Sequence, residues 1–198
     1  MSTGQYGRLE YWEERYMHKK ESFDWYHHWA GIKDIVTQYV FQTDSILHAG
    51  CGTSSLPFDM ANEGYSRITN FDASKVLIED LKANHKDSNM QWHLKDVRTM
   101  DYPSGSFDAV IEKGLLDSVL SGDRSRIMAQ RMISQIYRVL NQGGKYICVT
   151  HAVPEKRLNY FESSLWKVTH YKVSKPRIAS MPTEEEGIHY VYVCRKKE

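Results

Sequence analysis

Two glycines, Gly50 and Gly52, follow the apolar run Ile46-Leu-His-Ala49, and Asp72 closes a second short run, Ile68-Thr-Asn-Phe71, twenty positions after Gly52. A glycine turn after a strand lets the backbone approach a ligand that any Cβ would obstruct, and a carboxylate ending the next strand can accept both hydroxyls of a ribose. The pairing therefore predicts a nucleotide-like cofactor. Asp96, in Lys95-Asp-Val97, adds a carboxylate able to accept the exocyclic amine proton of an adenine. A dinucleotide fingerprint needs a third glycine, with the pyrophosphate resting on the helix N-terminus. Here that position is Ser55, which weakens a nicotinamide or flavin reading. S-adenosylmethionine combines an adenine, a ribose and a sulfonium amino acid and carries no phosphate.

These residues need elements to position them. Residues 8 to 20 and the series Trp29, Ile32, Val36, Tyr39 and Val40 have helical spacing and lead to a first strand at 45–49. Ser54-Ser55-Leu-Pro57 reads as a serine cap with a proline in the first turn of the next helix. A second strand, 66–72, passes through Ser74 as a cap into a helix carrying Val76, Leu77 and Leu81. Gln91 to Leu94 and Phe107 to Glu112 read as further strands. Ala129, Met132, Ile133, Ile136, Tyr137 and Leu140 mark one helix face, stopping near Gly143-Gly144, and Lys145 to Thr150 is a fifth strand. Two β-rich stretches follow, Trp166 to Val173 and Ile188 to Cys194, joined by a polar segment that holds Pro176, Pro182 and three consecutive glutamates.

The alternation predicts an α/β, doubly wound, Rossmann-like sheet of seven strands, mostly parallel with an antiparallel C-terminal edge hairpin. A single domain is expected over 1–198: an N-terminal helical cap at 1–43 closing the cofactor site, a cofactor-binding core at 44–150 and a β-rich edge at 151–198. In an open parallel sheet the ligand lies outside the carboxyl ends of the strands, where Gly50, Gly52, Asp72, Asp96 and Glu112 all fall.

Composition excludes several classes of function. Twenty-six basic against twenty-five acidic residues leave a formal net charge of +1, so no overall field holds phosphate backbone or anionic lipid. Neither an obligate nucleic acid partner nor a membrane is expected. Three scattered cysteines, Cys51, Cys148 and Cys194, lack metal-ligand spacing and read as free thiols in a reducing compartment. With no apolar run of bilayer length and no leader pattern at the N-terminus, the expected location is cytoplasmic. A monomer is expected, with no metal.

Leu47-His-Ala-Gly-Cys-Gly-Thr53, Phe71-Asp-Ala-Ser74, Lys95-Asp-Val97 and Gly143-Gly144 resemble the seven-β-strand, class I methyltransferases. Glu10-Tyr-Trp-Glu-Glu-Arg-Tyr16, Phe23-Asp-Trp-Tyr26, Phe107-Asp-Ala-Val-Ile-Glu-Lys-Gly114 and Leu116-Asp117 are more specific. They resemble the group containing methyltransferase-like protein 13 and elongation factor 1-alpha lysine methyltransferase 4, from about residue 6 to about 150. The resemblance implies that S-adenosylmethionine is the cofactor and elongation factor 1-alpha a candidate protein substrate. It implies that Trp12 and Tyr16 fold over the methionine portion, that Trp25 helps close the pocket, and that Gly50 underlies methionine and ribose beside Gly52. Asp72 and Ala73 would hold ribose and adenine, Asp96 and Val97 the adenine edge, and Lys113 would lie near the methyl-transfer end. His48, Thr53, Ala73 and Leu115 depart from residues frequent in the superfamily or the group.

A lysine acceptor must lose a proton, since with a pKa of ~10.4 under about one part in a thousand is neutral at pH 7. Glu112, at the end of strand four, is the first candidate for orienting the incoming amine and Asp117 the second. Trp25 and Tyr26 offer aromatic faces for a methylated ammonium. His151, after strand five, is another candidate base. Position 112 also lacks the Asn/Asp-Pro-Pro-Tyr/Phe series common in enzymes that methylate adenine or glutamine amide, which favours an aliphatic amine. A small-molecule methyltransferase and a non-catalytic interaction module of the same fold remain alternatives, the former if 174–187 forms a lid.

Overall fold

The computed structural model describes residues 3–86, 88–161, 164–175 and 187–197. One sheet of seven strands runs through it in the order β3-β2-β1-β4-β5-β7-β6. The strands are β1 (Ile46–Ala49), β2 (Ile68–Asp72), β3 (Gln91–Leu94), β4 (Phe107–Lys113), β5 (Leu140–Thr150), β6 (Trp166–Ser174) and β7 (Ile188–Lys196). β3, β2, β1, β4 and β5 are mutually parallel, and β7 runs antiparallel to both β5 and β6. The expected antiparallel hairpin is present, with its second strand inserted between the first and β5. Most of the polar segment proposed to join the two strands, 176–186, lies outside the described residues, and so does the question of a lid there.

The helices are α1 (Leu9–His18), α2 (Trp29–Val36), α3 (Leu56–Asn62), α4 (Lys75–Asn84), α5 (Leu115–Leu120), α6 (Ser125–Val139) and α7 (Pro154–Phe161). They cover both faces, so the central strands are buried and mostly apolar, and their buried polar residues His48 and Asn70 bond to each other. Successive residues of β5 alternate between two cores: Tyr146 and Cys148 pack with Met132, Ile136 and Phe161, while Ile147 and Val149 pack with Ile32, Val36 and Met60. A third cluster, of Tyr16, Cys51, Leu77, Ile78, Leu81 and Trp92, fastens α1 against α4 and β3.

Two local expectations are corrected. Gly143-Gly144 does not end a helix. α6 stops at Val139, Leu140 already pairs with Phe107, and the register shifts before Ala109 pairs with Lys145, so the glycines lie in a bulge within β5. Gly143 has φ +69, and a Cβ on Gly144 would sit 2.9 Å from the Asn141 carbonyl oxygen. The serine at the start of α3 acts one place earlier than the N-cap position: Ser55 takes a helical conformation and makes no side-chain cap, its hydroxyl turned to Asp24 and Asp59, while the Ser54 hydroxyl accepts from the Leu56 N–H at 3.1 Å. Ser74 caps α4 as expected, its Oγ accepting from the Leu77 N–H at 3.2 Å. Among the described residues no helix is long and apolar enough to cross a membrane.

Candidate functional site

β1 and β2 pair in parallel with Ala49 opposite Phe71, which brings the two strand ends side by side. Beyond them the chain turns sharply: Gly50 has φ +61 and Gly52 φ +52, a region costly for residues with a Cβ. The Asp72 carboxylate clamps this turn, accepting from Gly52 N–H through Oδ2 and from Ser74 N–H through Oδ1, both at 3.0 Å. Burial raises its pKa even against these bonds. β3 pairs with β2 with Leu94 opposite Asp72, so Asp96 emerges along the same edge. Its carboxylate lies in the fork of the Arg98 guanidinium and accepts from the Arg98 N–H at 2.8 Å.

A cavity of about 840 Å³ runs along these ends, within the ~300–1,000 Å³ usual for a small-molecule site. Trp12, Tyr16, Trp25, Gly50, Gly52, Asp72, Ala73, Asp96, Val97 and Lys113 all line it, as does Asp117. Trp12 and Tyr16 stack with ring centroids 5.9 Å apart, and Trp25 meets Trp12 edge-on at 6.2 Å. Among the described residues no cluster of three His, Cys, Asp or Glu side chains is placed to hold a metal ion.

The helix N-termini at this crevice are occupied by carboxylates of the N-terminal segment. Asp24 accepts from the Ser55 N–H and from the hydroxyls of Ser54 and Ser55 at the start of α3. Glu13 accepts from the Ser74 hydroxyl and from the N–H groups of Lys75 (2.8 Å) and Val76 (3.2 Å) at the start of α4. A dinucleotide would rest its pyrophosphate on such an end. Here Asp24, paired with Lys113, already fills the start of α3 and leaves that group no place, whereas the Asp72 carboxylate and the open backbone at Gly52, where a Cβ would meet only the Tyr16 hydroxyl, suit a phosphate-free adenosine. The residues present fit S-adenosylmethionine better than a dinucleotide.

At the far end, β4 and β5 deliver a second group of polar side chains. Lys113 Nζ donates to Asp24 and to the His27 carbonyl oxygen (2.7 Å), nearly out of solvent. Burial lowers its pKa although Asp24 opposes the shift. Tyr26, with φ +66, donates its hydroxyl to Asp117 Oδ2 at 2.6 Å. Asp117 also accepts from the Thr150 hydroxyl at 2.6 Å and from the Arg157 guanidinium, and His151 Nδ1 lies 3.2 Å from it. Burial alone would raise the Asp117 pKa, but these donors hold it well below the usual carboxylate range.

Glu112 is the correction at this end. It is fully buried and absent from the cavity wall: Oε2 accepts from the Leu115 N–H at 2.7 Å and Oε1 from the Tyr146 hydroxyl at 3.1 Å. It braces the start of α5, apart from the residues that line the cavity. Trp25 is also less open than expected, since the Arg15 guanidinium lies 5.9 Å from its ring centroid and 5.4 Å from that of Phe23. Glu13, Asp24, Thr150 and Arg157 were missed from sequence. The first two lay within the distinctive N-terminal motifs, but nothing local told a helix-capping carboxylate from a solvated one.

A family model described as a methyltransferase domain matches residues 47–148. EEF1A lysine methyltransferase 4 of Mus musculus is 31% identical over 179 residues, covering 84% of this chain and 70% of that protein. The eEF1A lysine and N-terminal methyltransferase of Homo sapiens is 28% identical over 193 residues. This chain spans 28% of that protein's length and 26% of its Bos taurus counterpart. In fold it is similar to N-methyltransferase NodS from Bradyrhizobium japonicum, solved with S-adenosyl-L-homocysteine, with a TM-score of 0.68 over the whole of both chains at 14% identity. A SAM-dependent methyltransferase from Methanosarcina mazei aligns at TM-score 0.66 over 82% of this chain and 97% of that one, at 17% identity. With its seven-stranded sheet, its glycine turn after β1 and the carboxylate that ends β2, the chain belongs to the methyltransferase-domain family, in its class I fold.

Proposed function

We propose that this chain is an S-adenosylmethionine-dependent protein-lysine N-methyltransferase of the cytoplasm, with elongation factor 1-alpha as the substrate to test first. The observation that carries the reading is the polarity of the crevice: one end suits a phosphate-free adenosine, and the other presents an ionised Asp117 with aromatic walls, which suits a cation. The names of the EEF1A methyltransferase relatives support the substrate. Three free buried thiols, Cys51, Cys148 and Cys194, accord with a reducing compartment.

In this reading Asp72 accepts the ribose hydroxyls, Ala73 and Val97 flank the adenine with Asp96 at its amine edge, and Trp12 and Tyr16 cover the methionine portion over Gly50 and Gly52. Lys113 is a strut that ties Asp24, and so the N-terminal cap, to β4 beside the transfer end. S-adenosylmethionine supplies an already activated methyl group, so alignment and exclusion of water are the protein's main tasks. Trp25 and Tyr26 narrow the acceptor end to an aliphatic chain and offer their aromatic faces to its ammonium head.

The test incubates the purified chain with radiolabelled S-adenosylmethionine and a eukaryotic lysate, beside purified elongation factor 1-alpha and an Asp72→Ala control. Label is expected in one discrete protein band. Loss of charge-assisted hydrogen bonds of ~1.5–3 kcal/mol predicts S-adenosylmethionine affinity roughly ten- to a hundredfold weaker in Asp72→Ala. Label confined to small molecules, or affinity unchanged in Asp72→Ala by calorimetry, overturns the reading.

A further inference from the structure

We propose that His151 is the base that takes the proton from the acceptor amine, with Asp117 fixing its tautomer, a role that rests on the lysine-methylation reading above. His151 follows the last residue of β5, lines the cavity and keeps 60% of its side chain exposed. Its Nδ1 lies 3.0 Å from the Tyr26 hydroxyl oxygen and 3.2 Å from Asp117 Oδ2. The Tyr26 hydrogen is committed to the same carboxylate oxygen at 2.6 Å. Asp117 Oδ1 is held by the Thr150 hydroxyl and the Arg157 guanidinium, so the carboxylate is ionised and only accepts. Both neighbours of Nδ1 thus present lone pairs, and Nδ1 must be the donor. In neutral imidazole that leaves the lone pair on Nε2.

The arrangement is that of a histidine base oriented by a carboxylate, known from nucleophile activation in hydrolases. Here the group to be activated is the substrate's own amine. The ammonium N–H bond breaks with its electron pair staying on nitrogen as the attacking lone pair, and the proton bonds to Nε2. The resulting imidazolium is paired with Asp117, and the exposed ring then releases the proton to water. The same cycle serves each further methylation, since every alkylated amine must lose another proton before it can attack.

The charged and titratable groups around the ring come from several elements. Asp117 (α5) lies against the ring and is also paired with Arg157 (α7). His189 (β7) sits against the Tyr26 ring with centroids 4.7 Å apart, and Glu112 (β4) is buried, bonded to Leu115 and Tyr146. Tyr26 itself is held protonated: burial and the neighbouring Asp117 push its hydroxyl above its ordinary range, so it orients rather than titrates.

The test compares the wild-type chain with His151→Gln in single-turnover transfer from S-adenosylmethionine to purified elongation factor 1-alpha between pH 6 and 10. His151→Gln is expected to bind S-adenosylmethionine within twofold of wild type and to lose at least tenfold in rate at pH 7. The deficit should close as pH approaches the ~10.4 of free lysine. Equal rates at pH 7, or the same deficit at every pH, overturn the proposal while leaving the methyltransferase reading intact. A wild-type chain that binds cofactor and transfers nothing overturns both. A second measurement needs no acceptor: ¹⁵N resonances of the neutral histidine should show Nδ1–H at His151, and an Nε2–H tautomer rules the base out.

Discussion

At Glu112 the residue type was legible and its direction was not. It lies one residue before the end of β4, where a carboxylate suggests chemistry, yet it turns into the interior, to accept from the Leu115 N–H and bond Tyr146. Burial pushes its pKa up to about 7. The folded chain thus keeps this proton up to about pH 7, whereas the unfolded chain releases it near the ordinary ~4.3. The folded state binds more protons in that window, so wild-type stability falls as pH rises through it. Glu112→Gln can accept from the Leu115 N–H through its amide oxygen and donate its amide N–H to the Tyr146 oxygen, and it has nothing to titrate. Its Tm relative to wild type should climb between pH 4.5 and 8, with methyl transfer within threefold of wild type; a Tm difference flat with pH would refute the assignment, and a tenfold loss of transfer would restore the amine-orienting role.

Helix ends in this protein are satisfied by side chains from elsewhere in the chain as much as by their own caps. Ser74 behaves as its sequence predicts and also donates to Glu13, which reaches over from α1 to the first N–H groups of α4. A cap and a tertiary clasp are thereby the same structure. Ser74→Ala should cost ~0.5–2 kcal/mol in urea unfolding, the usual loss for a serine cap. Glu13→Ala leaves that cap in place and frees α1, which carries Trp12 and Tyr16 to the cavity. It should weaken S-adenosylmethionine binding severalfold with a smaller effect on stability than Ser74→Ala. Unchanged affinity would show that α1 stays docked through its apolar face alone.

For the molecule as a whole, the apolar attachments of the N-terminal segment are joined by a buried charged one, where Asp24 meets Lys113, Ser54 and Ser55 together. Breaking one partner of a buried pair typically costs ~3–5 kcal/mol, because a charge is left uncompensated. Asp24→Asn strands the Lys113 ammonium beside the His27 carbonyl and should lower stability by that order in chemical denaturation. Adding Lys113→Met removes the stranded charge and should recover much of the loss. A double variant as costly as the sum of the singles would mean the two side chains act separately.

The sequence determined what depends on nearest neighbours and on period. Parallel strands buried on both faces appear as short, mostly apolar runs, Ser74 announced its helix, and Gly50, Gly52 and Asp72 declared a turn and a carboxylate at adjacent strand ends. Those constraints are local, so they survive without a fold. The sequence also suggested that Gly143-Gly144 stops a helix, because a glycine pair serves a bulge equally well and only Leu140 pairing with Phe107 chose between them. Tertiary structure alone decided the insertion of β7 between β5 and β6, the inward turn of Glu112, and the meeting of Tyr26, Asp117, Thr150, His151 and Arg157. The last of these joins residues up to 131 positions apart, and no period or propensity encodes such a distance. It is set by the common end at which a parallel sheet delivers its strands.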